Sequence, residues 1–239
     1  MMSRLDKIKH LYDILNELEA QLGGMRYLAN CHGKMNWPER GIYFFFEPGE
    51  ERSTSGSGLR VVRVGTHTLK LDSQTTLWDR LLAHRGYIGG KWPDGGNNRG
   101  SVFRYHVGCA ILAKDRLEER YLKWGVGSSA SSEIRNQEYP IEKMVSQRIR
   151  AMPFLWLEVD DSPGPKSRRA YLERNLIALL SNYGKLGTNE AIDPPSKKWL
   201  GNYSTNDKVR KSGLWNDHHV DEPWDSKCLE ELEARVKNI

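Results

Sequence analysis

The sequence predicts an α+β fold in which a small central mixed or antiparallel β-sheet is flanked by helices. Three observations lead there. A helix-period run opens the chain, two short β-rich segments follow at 41–46 and 59–65, and the apolar run MPFLWLEVDD comes just before another strong helical pattern.

Taken in order, residues 3–22 read as an amphipathic helix. Ser3 can cap it, Leu5, Ile8, Leu11, Tyr12, Leu15, Leu18 and Leu22 recur at helical spacing, and Gly23-Gly24 ends it. Its apolar face needs a partner and is expected to pack on the domain that follows. GIYFFF and LRVVRVG, joined by a Glu/Gly/Ser-rich stretch, read as a β-hairpin with a generous loop. SQTTLWDRLLAHRG then gives a short helix, with cap candidates from Ser73 to Thr76, Leu77, Leu81 and Leu82 on the buried side, and Gly86 as the stop. YIGGKWPDGGNNRG is turn chemistry throughout. SVFRYHVGCAILA reads as a β-rich run, and the Ser-rich stretch after it as a short helix and loop. MPFLWLEVDD has the length and continuity of a central strand covered on both faces. SRRAYLERNLIALLSNYG is a further helix with Leu172, Leu176, Ile177, Leu179 and Leu180 inward and Gly184 as its stop, and DSKCLEELEARVKNI reads as a closing helix. The expected division is an N-terminal helical segment over 1–30, a principal domain over 38–190 with insertions at about 87–150, and a C-terminal extension over 191–239 packed on the core.

Composition excludes several classes. A chain of 239 residues with 38% hydrophobic and 28% charged content can bury a core without disulfides or a structural metal. Cys31, Cys109 and Cys228 are far apart and never form a CxxC pair, which argues against a disulfide scaffold or zinc site and for a reducing cytoplasm. The opening segment is charged throughout and lacks the apolar run of a secretory leader, and no segment approaches the roughly 18 apolar residues of a membrane span. The net charge of +5 is compatible with a polyanionic partner. Lys166, Arg168, Arg169 and Arg174 cluster, followed by Lys197, Lys198, Lys208, Arg210 and Lys211, a pattern suited to a phosphate backbone.

Five positions carry the chemistry: Tyr43 in GIY, Gly65 in RVG, Arg80 and His84 on the helix that follows, and Glu173 on the later helix. Arg80 and His84 are four apart and project from one helix face. Glu173 stands at the edge of an apolar stripe, where an unpaired carboxylate is costly and a cation is the expected partner. Such a set suffices to hydrolyse a phosphodiester. A guanidinium can clamp the phosphate, a phenol or imidazole can handle the proton of water, and one carboxylate can hold a hard divalent cation.

In order and spacing, GIY at 41–43, RVG at 63–65, DRLLAH at 79–84 and YLERNLIALL at 171–180 resemble the GIY-YIG nuclease family over roughly residues 40–185. The resemblance implies a metal-dependent DNA endonuclease of restriction or defence type, with a repair or mobile-element nuclease as the alternative. By it Tyr43 is a general base or water-positioning group, Arg80 the phosphate-stabilising residue, His84 a proton-transfer or positioning group and Glu173 the ligand of one Mg²⁺ or Mn²⁺ ion. The family places an asparagine soon after the glutamate helix. Asn182 is the nearest candidate here, with Asn189 close by. Two departures stand out. Arg63 occupies the place of the second motif's tyrosine, with Tyr87 and Tyr105 as substitutes to consider, and the His84-to-Glu173 interval implies inserted strands and loops. Loss of that tyrosine also frames a rival reading, a catalytically inactive nucleic-acid-binding module. Arg63, Lys70, Arg99, Arg104, His106, Arg168 and Arg169 are the expected contacts to double-stranded DNA, and a homodimer would suit both strands of a palindromic site. His218-His219 beside Asp217 and Asp221 make a weak metal pattern, since adjacent residues rarely form a clean site. Trp199 and Trp215 are expected in packing.

Overall fold

In the computed structural model the described residues are 3–67, 69, 71, 73–164 and 166–239. Helix α1 (Arg4–Leu22) starts at a reciprocal capping box. The Ser3 side chain accepts the Asp6 N–H, the Asp6 carboxylate accepts the Ser3 N–H, and Gly23 closes the helix at φ 73°. Strands β1 (Arg26–Tyr27), β2 (Gly41–Glu51), β3 (Leu59–Gly65) and β4 (Pro153–Glu158) form one sheet in the order β1-β4-β2-β3, every neighbouring pair antiparallel.

Helices cover both faces of this sheet, which explains the near-continuous apolar runs in β2 and β4. On one face Ile42, Phe44, Leu155 and Leu157 pack with α1, α5 (Arg168–Leu180) and α7 (Lys227–Val236). On the other, Tyr43, Phe45, Phe154 and Trp156 pack with α2 (Leu77–Arg85), α3 (Val102–Asp115), α4 (Ser132–Arg150) and the short α6 (Asp207–Ser212), joined by the buried Trp199 and Trp215. No helix among the described residues is long and apolar enough to cross a membrane.

Four expectations are corrected. SVFRYHVGCAILA is helix α3, not a strand: Ser101 caps it by accepting the Arg104 N–H, and Phe103, Val107, Ala110 and Ile111 recur at helical spacing to fill the core. The β-rich residue types are overridden by cap and packing. Nor is the insertion made of strands and loops, for most of it is the pair α3 and α4, the latter 19 residues long and carrying Pro140 inside. Leu82 on α2 is exposed rather than buried, and α5 ends at Leu180 under a Ser181 cap, before Gly184.

Sheet edge β3 does not face solvent bare. Trp215 N–H donates to Val62 O at 2.7 Å, and Asn216 brackets Val64, its Oδ1 accepting the Val64 N–H at 3.2 Å and its amide donating to Val64 O at 2.8 Å. Residues from the C-terminal extension thus close the edge.

The α3–α4 layer is held by buried ion pairs. Arg99 donates bidentately to Glu138 at 2.7 and 2.8 Å. Fully buried Arg104 donates to Glu142, whose Oε1 also accepts the Asn98 side-chain amide at 3.0 Å. Removing one member of such a pair strands the other charge. Glu142→Ala is therefore expected to destabilise the fold by about 3–5 kcal/mol, read as a lowered urea midpoint with unchanged m-value.

Candidate active site

The two helical layers meet at the C-terminal end of β3, and the candidate groups converge there. Tyr43 and Gly65 are direct cross-strand partners. The phenol lies across the glycine, so that a Cβ at Gly65 would fall on the Tyr43 ring and hydroxyl. Glycine is needed here for close approach.

Helix α2 is set by a second capping box, Thr76 with Asp79, and by buried Leu77 and Leu81. This orientation sends His84 inward. Its Nε2 lies 2.8 Å from the Tyr43 hydroxyl and its Nδ1 2.7 Å from Ser101 Oγ, and both Tyr43 and His84 are 0% exposed. Ser101 Oγ also accepts the Arg104 N–H at 3.2 Å. The buried hydroxyls of Tyr43 and Ser101 thus flank the two ring nitrogens, one ring nitrogen donating and the other accepting. Burial, followed by the fields of Arg80, Arg63 and Arg104, holds His84 well below the usual imidazole range, so the ring is neutral at neutral pH.

Helix α5 places Glu173 at the rim of its apolar stripe, half-buried. Its Oε1 accepts the Thr66 N–H at 3.1 Å, and among the described residues the hydrogen bonds to this carboxylate go to Oε1 alone. Burial raises its pKa, while Arg63, the Thr66 N–H, His219 and Arg80 oppose the shift. Glu173 opens on a cavity of about 420 Å³ that Lys166, Arg174 and His219 also line. The described residues hold no group of three or more metal-ligating side chains. One carboxylate oxygen left to a cavity still fits Mg²⁺, which binds through one or two carboxylates and completes its shell with water and substrate phosphates.

Arg80 is partly exposed, its NH1 3.5 Å from Gly100 O, and its Nε–H is buried without an acceptor. Other expected residues lie elsewhere. Arg99 and Arg104 are engaged by Glu138 and Glu142, fully buried Arg169 donates to Asp161, and His106 sits 3.1 Å from Asp217, so these four point into the protein and not toward a phosphate. Asn182 is a buried clamp, its amide donating to Ile192 O at 2.8 Å and its Oδ1 accepting the Ile192 N–H at 3.0 Å. Tyr105 lies against Gly125, and Tyr87 accepts from Arg135 at 3.1 Å. Arg63 is buried beside the site. Arg168 is exposed, 3.3 Å from Glu231. Thr68 and Lys70 fall outside the described residues. Sequence reasoning missed the parts played by Thr66, Ser101 and His219. Thr66 acts through its backbone and Ser101 caps a helix misread as a strand, so neither leaves a signal in residue type.

A sheet that sets a phenol, an imidazole, a guanidinium and a lone carboxylate around one strand end marks an α+β protein of nuclease type. The family model described as the GIY-YIG domain matches residues 2–239, and the chain belongs to that family, whose members are nucleases. Neither the curated proteins nor the solved structures compared with it contain a match.

Two outcomes follow. Gly65→Ala pushes Tyr43 off its seat and is expected to cost about 1–3 kcal/mol, seen as a lowered thermal midpoint. His67, 2.9 Å from Thr75 O, is held down to about 4 by burial, with Arg169 and Arg80 adding and the Thr75 bond opposing. Its neutral form is favoured in the fold, so the unfolded chain takes up the proton first, from about 6.5 downward. Stability is then lost as pH falls from about 6.5 to about 4, and the measured thermal midpoint should fall less steeply across that window in His67→Asn.

Proposed function

We propose that the protein is a metal-dependent endonuclease acting on double-stranded DNA, of restriction or defence type. The observation that carries this reading is the convergence of Tyr43–His84, Arg80 and Glu173 at the end of β3. Free, mostly buried cysteines suit a reducing cytoplasm.

In this mechanism Tyr43 positions the attacking water, and the hydrogen bond to His84 Nε2 holds the phenol oxygen in place. His84 acts as a fixed hydrogen-bond partner, because a buried ring among arginines resists becoming imidazolium. Arg80 donates to the scissile phosphate and offsets the charge of the transition state. Glu173 would hold a divalent ion, held in place through the Thr66 N–H, and that ion would supply Lewis-acid stabilisation at the phosphate. Lys166 and Arg174, exposed beside Glu173, and exposed Arg168 are suited to the flanking phosphates. A homodimer would bring two such sites to a palindrome.

One observation favours the inactive-binder reading, the complete burial of Tyr43 and His84. The readings separate on supercoiled DNA incubated with Mg²⁺, Mn²⁺ or EDTA. Wild type is expected to nick or linearise the plasmid only with metal, and Glu173→Gln to lose at least about 10²-fold in rate while still binding DNA with a steep salt dependence. Cleavage by Glu173→Gln at the wild-type rate would refute the mechanism, and salt-sensitive binding by wild type without any nick would establish the binder.

A further inference from the structure

Resting on the nuclease reading, we propose that Arg63 is a second phosphate-binding guanidinium of the catalytic site, acting from the strand position where the family motif has a tyrosine. The first support is its placement. Phe45 pairs with Arg63 and Phe46 with Val61, so Val62 is the extra residue of a β-bulge. Bulges re-aim side chains next to active sites. The bulge puts Val62 in the α2–α4 layer, and the Arg63 guanidinium stands 4.9 Å over the Phe103 ring of that same layer. From there its field reaches both His84 and Glu173, the two groups that come to the site from opposite layers.

The second support is what Arg63 lacks. Buried Arg60, Arg104 and Arg169 each donate to a carboxylate, on Glu50, Glu142 and Asp161 respectively. Arg63 is equally enclosed, at 6% exposed, yet among the described residues it has no carboxylate within 4.0 Å. Its NH1 donates to Trp215 O at 2.6 Å, and its Nε–H is buried with no acceptor. Arg80, whose field also reaches His84 and Glu173, repeats the pattern, among the described residues again with an orphaned Nε–H and no ion pair. Both guanidinium groups act on the carboxylate of Glu173, and the imidazole beside them is neutral. A buried cation without a counter-ion is costly, and a phosphodiester supplies the missing anion in the planar, two-oxygen form a guanidinium matches. Since negative charge on the phosphate grows toward the transition state, the contact strengthens there.

A structural role, holding the Trp215 carbonyl and so the C-terminal extension, makes different predictions. The test compares full-length wild type, Arg63→Met and Arg63→Lys on duplexes carrying oxygen or one stereoisomer of sulfur at the scissile phosphate, with DNA affinity and thermal midpoint measured in parallel. Arg63→Met is expected to lower kcat by about 10²–10³-fold with little change in affinity, and to lose the wild-type rate difference between oxygen and sulfur at one stereoisomer. Arg63→Lys, which keeps the charge and loses the fork, should recover part of the rate with an altered stereoisomer preference. Should Arg63→Met fail to fold, the Arg63→Lys preference decides. An unaltered preference, or Arg63→Met cutting at the wild-type rate, overturns the proposal. Wild type that cuts no DNA overturns the nuclease reading and this inference with it, whereas active wild type beside an unaffected variant overturns the inference alone.

Discussion

Everything at the site depends on the register of β2 against β3. Because Tyr43 faces Gly65, the phenol has a floor without a side chain and can lie across it to reach His84. A slip of one residue would send Tyr43 to the opposite face of the sheet, among the helices that carry Glu173, and the two halves of the site could not meet. Three devices keep the register. The alternate apolar residues of β2 are sorted between two cores, the bulge at Val62 absorbs the twist, and Trp215 and Asn216 lock the free edge of β3.

A second constraint is electrostatic. Arg99 and Arg104 in the layer behind His84, and Arg169 in the opposite layer, are each paired with a carboxylate, whereas Arg63 and Arg80 form no ion pair among the described residues. The fields of Arg80 and Arg63 accordingly act on His84 ahead of that of the paired Arg104. Phe45 and Phe103 wall in the imidazole, with ring centres 6.2 and 5.5 Å away, and keep it dry. Dryness and positive potential act in the same direction on His84 and keep the ring neutral.

Much of this was legible from residues close in sequence. Helices α1 and α2 announce themselves through Ser3/Asp6 and Thr76/Asp79, the hairpin through its apolar runs, and the set Tyr43, Arg80, His84 and Glu173 through its order. What sequence hid depends on distance. Arg99 and Arg104 look like phosphate ligands until Glu138 and Glu142, some forty residues on, turn up beside them, and those carboxylates come from a 19-residue helix in a stretch that composition made look like a short helix and loop. α3 misleads because Phe, Tyr, His and Val suit a strand equally well, and only the Ser101 cap and the three- and four-residue spacing of its buried side chains settle the matter. Asn182 misleads for a different reason, since a buried amide satisfied on both sides by Ile192 has the same letter as one that meets a substrate.

The edge closure of β3 also has a consequence for how the protein comes into being. Trp215 and Asn216, and with them the anchor of Arg63, are made long after the strands they complete, and His219 joins the Glu173 cavity later still. During synthesis the sheet emerges with one side unpaired, and α1 waits for α7, against which it finally packs. The candidate site is therefore completed only once residues 215–219 have been made, through contacts of very long sequence separation. A nascent chain that has not yet reached Trp215 would carry Tyr43, Arg80, His84 and Glu173 without the frame that aims them, a built-in delay between making these side chains and setting them in place.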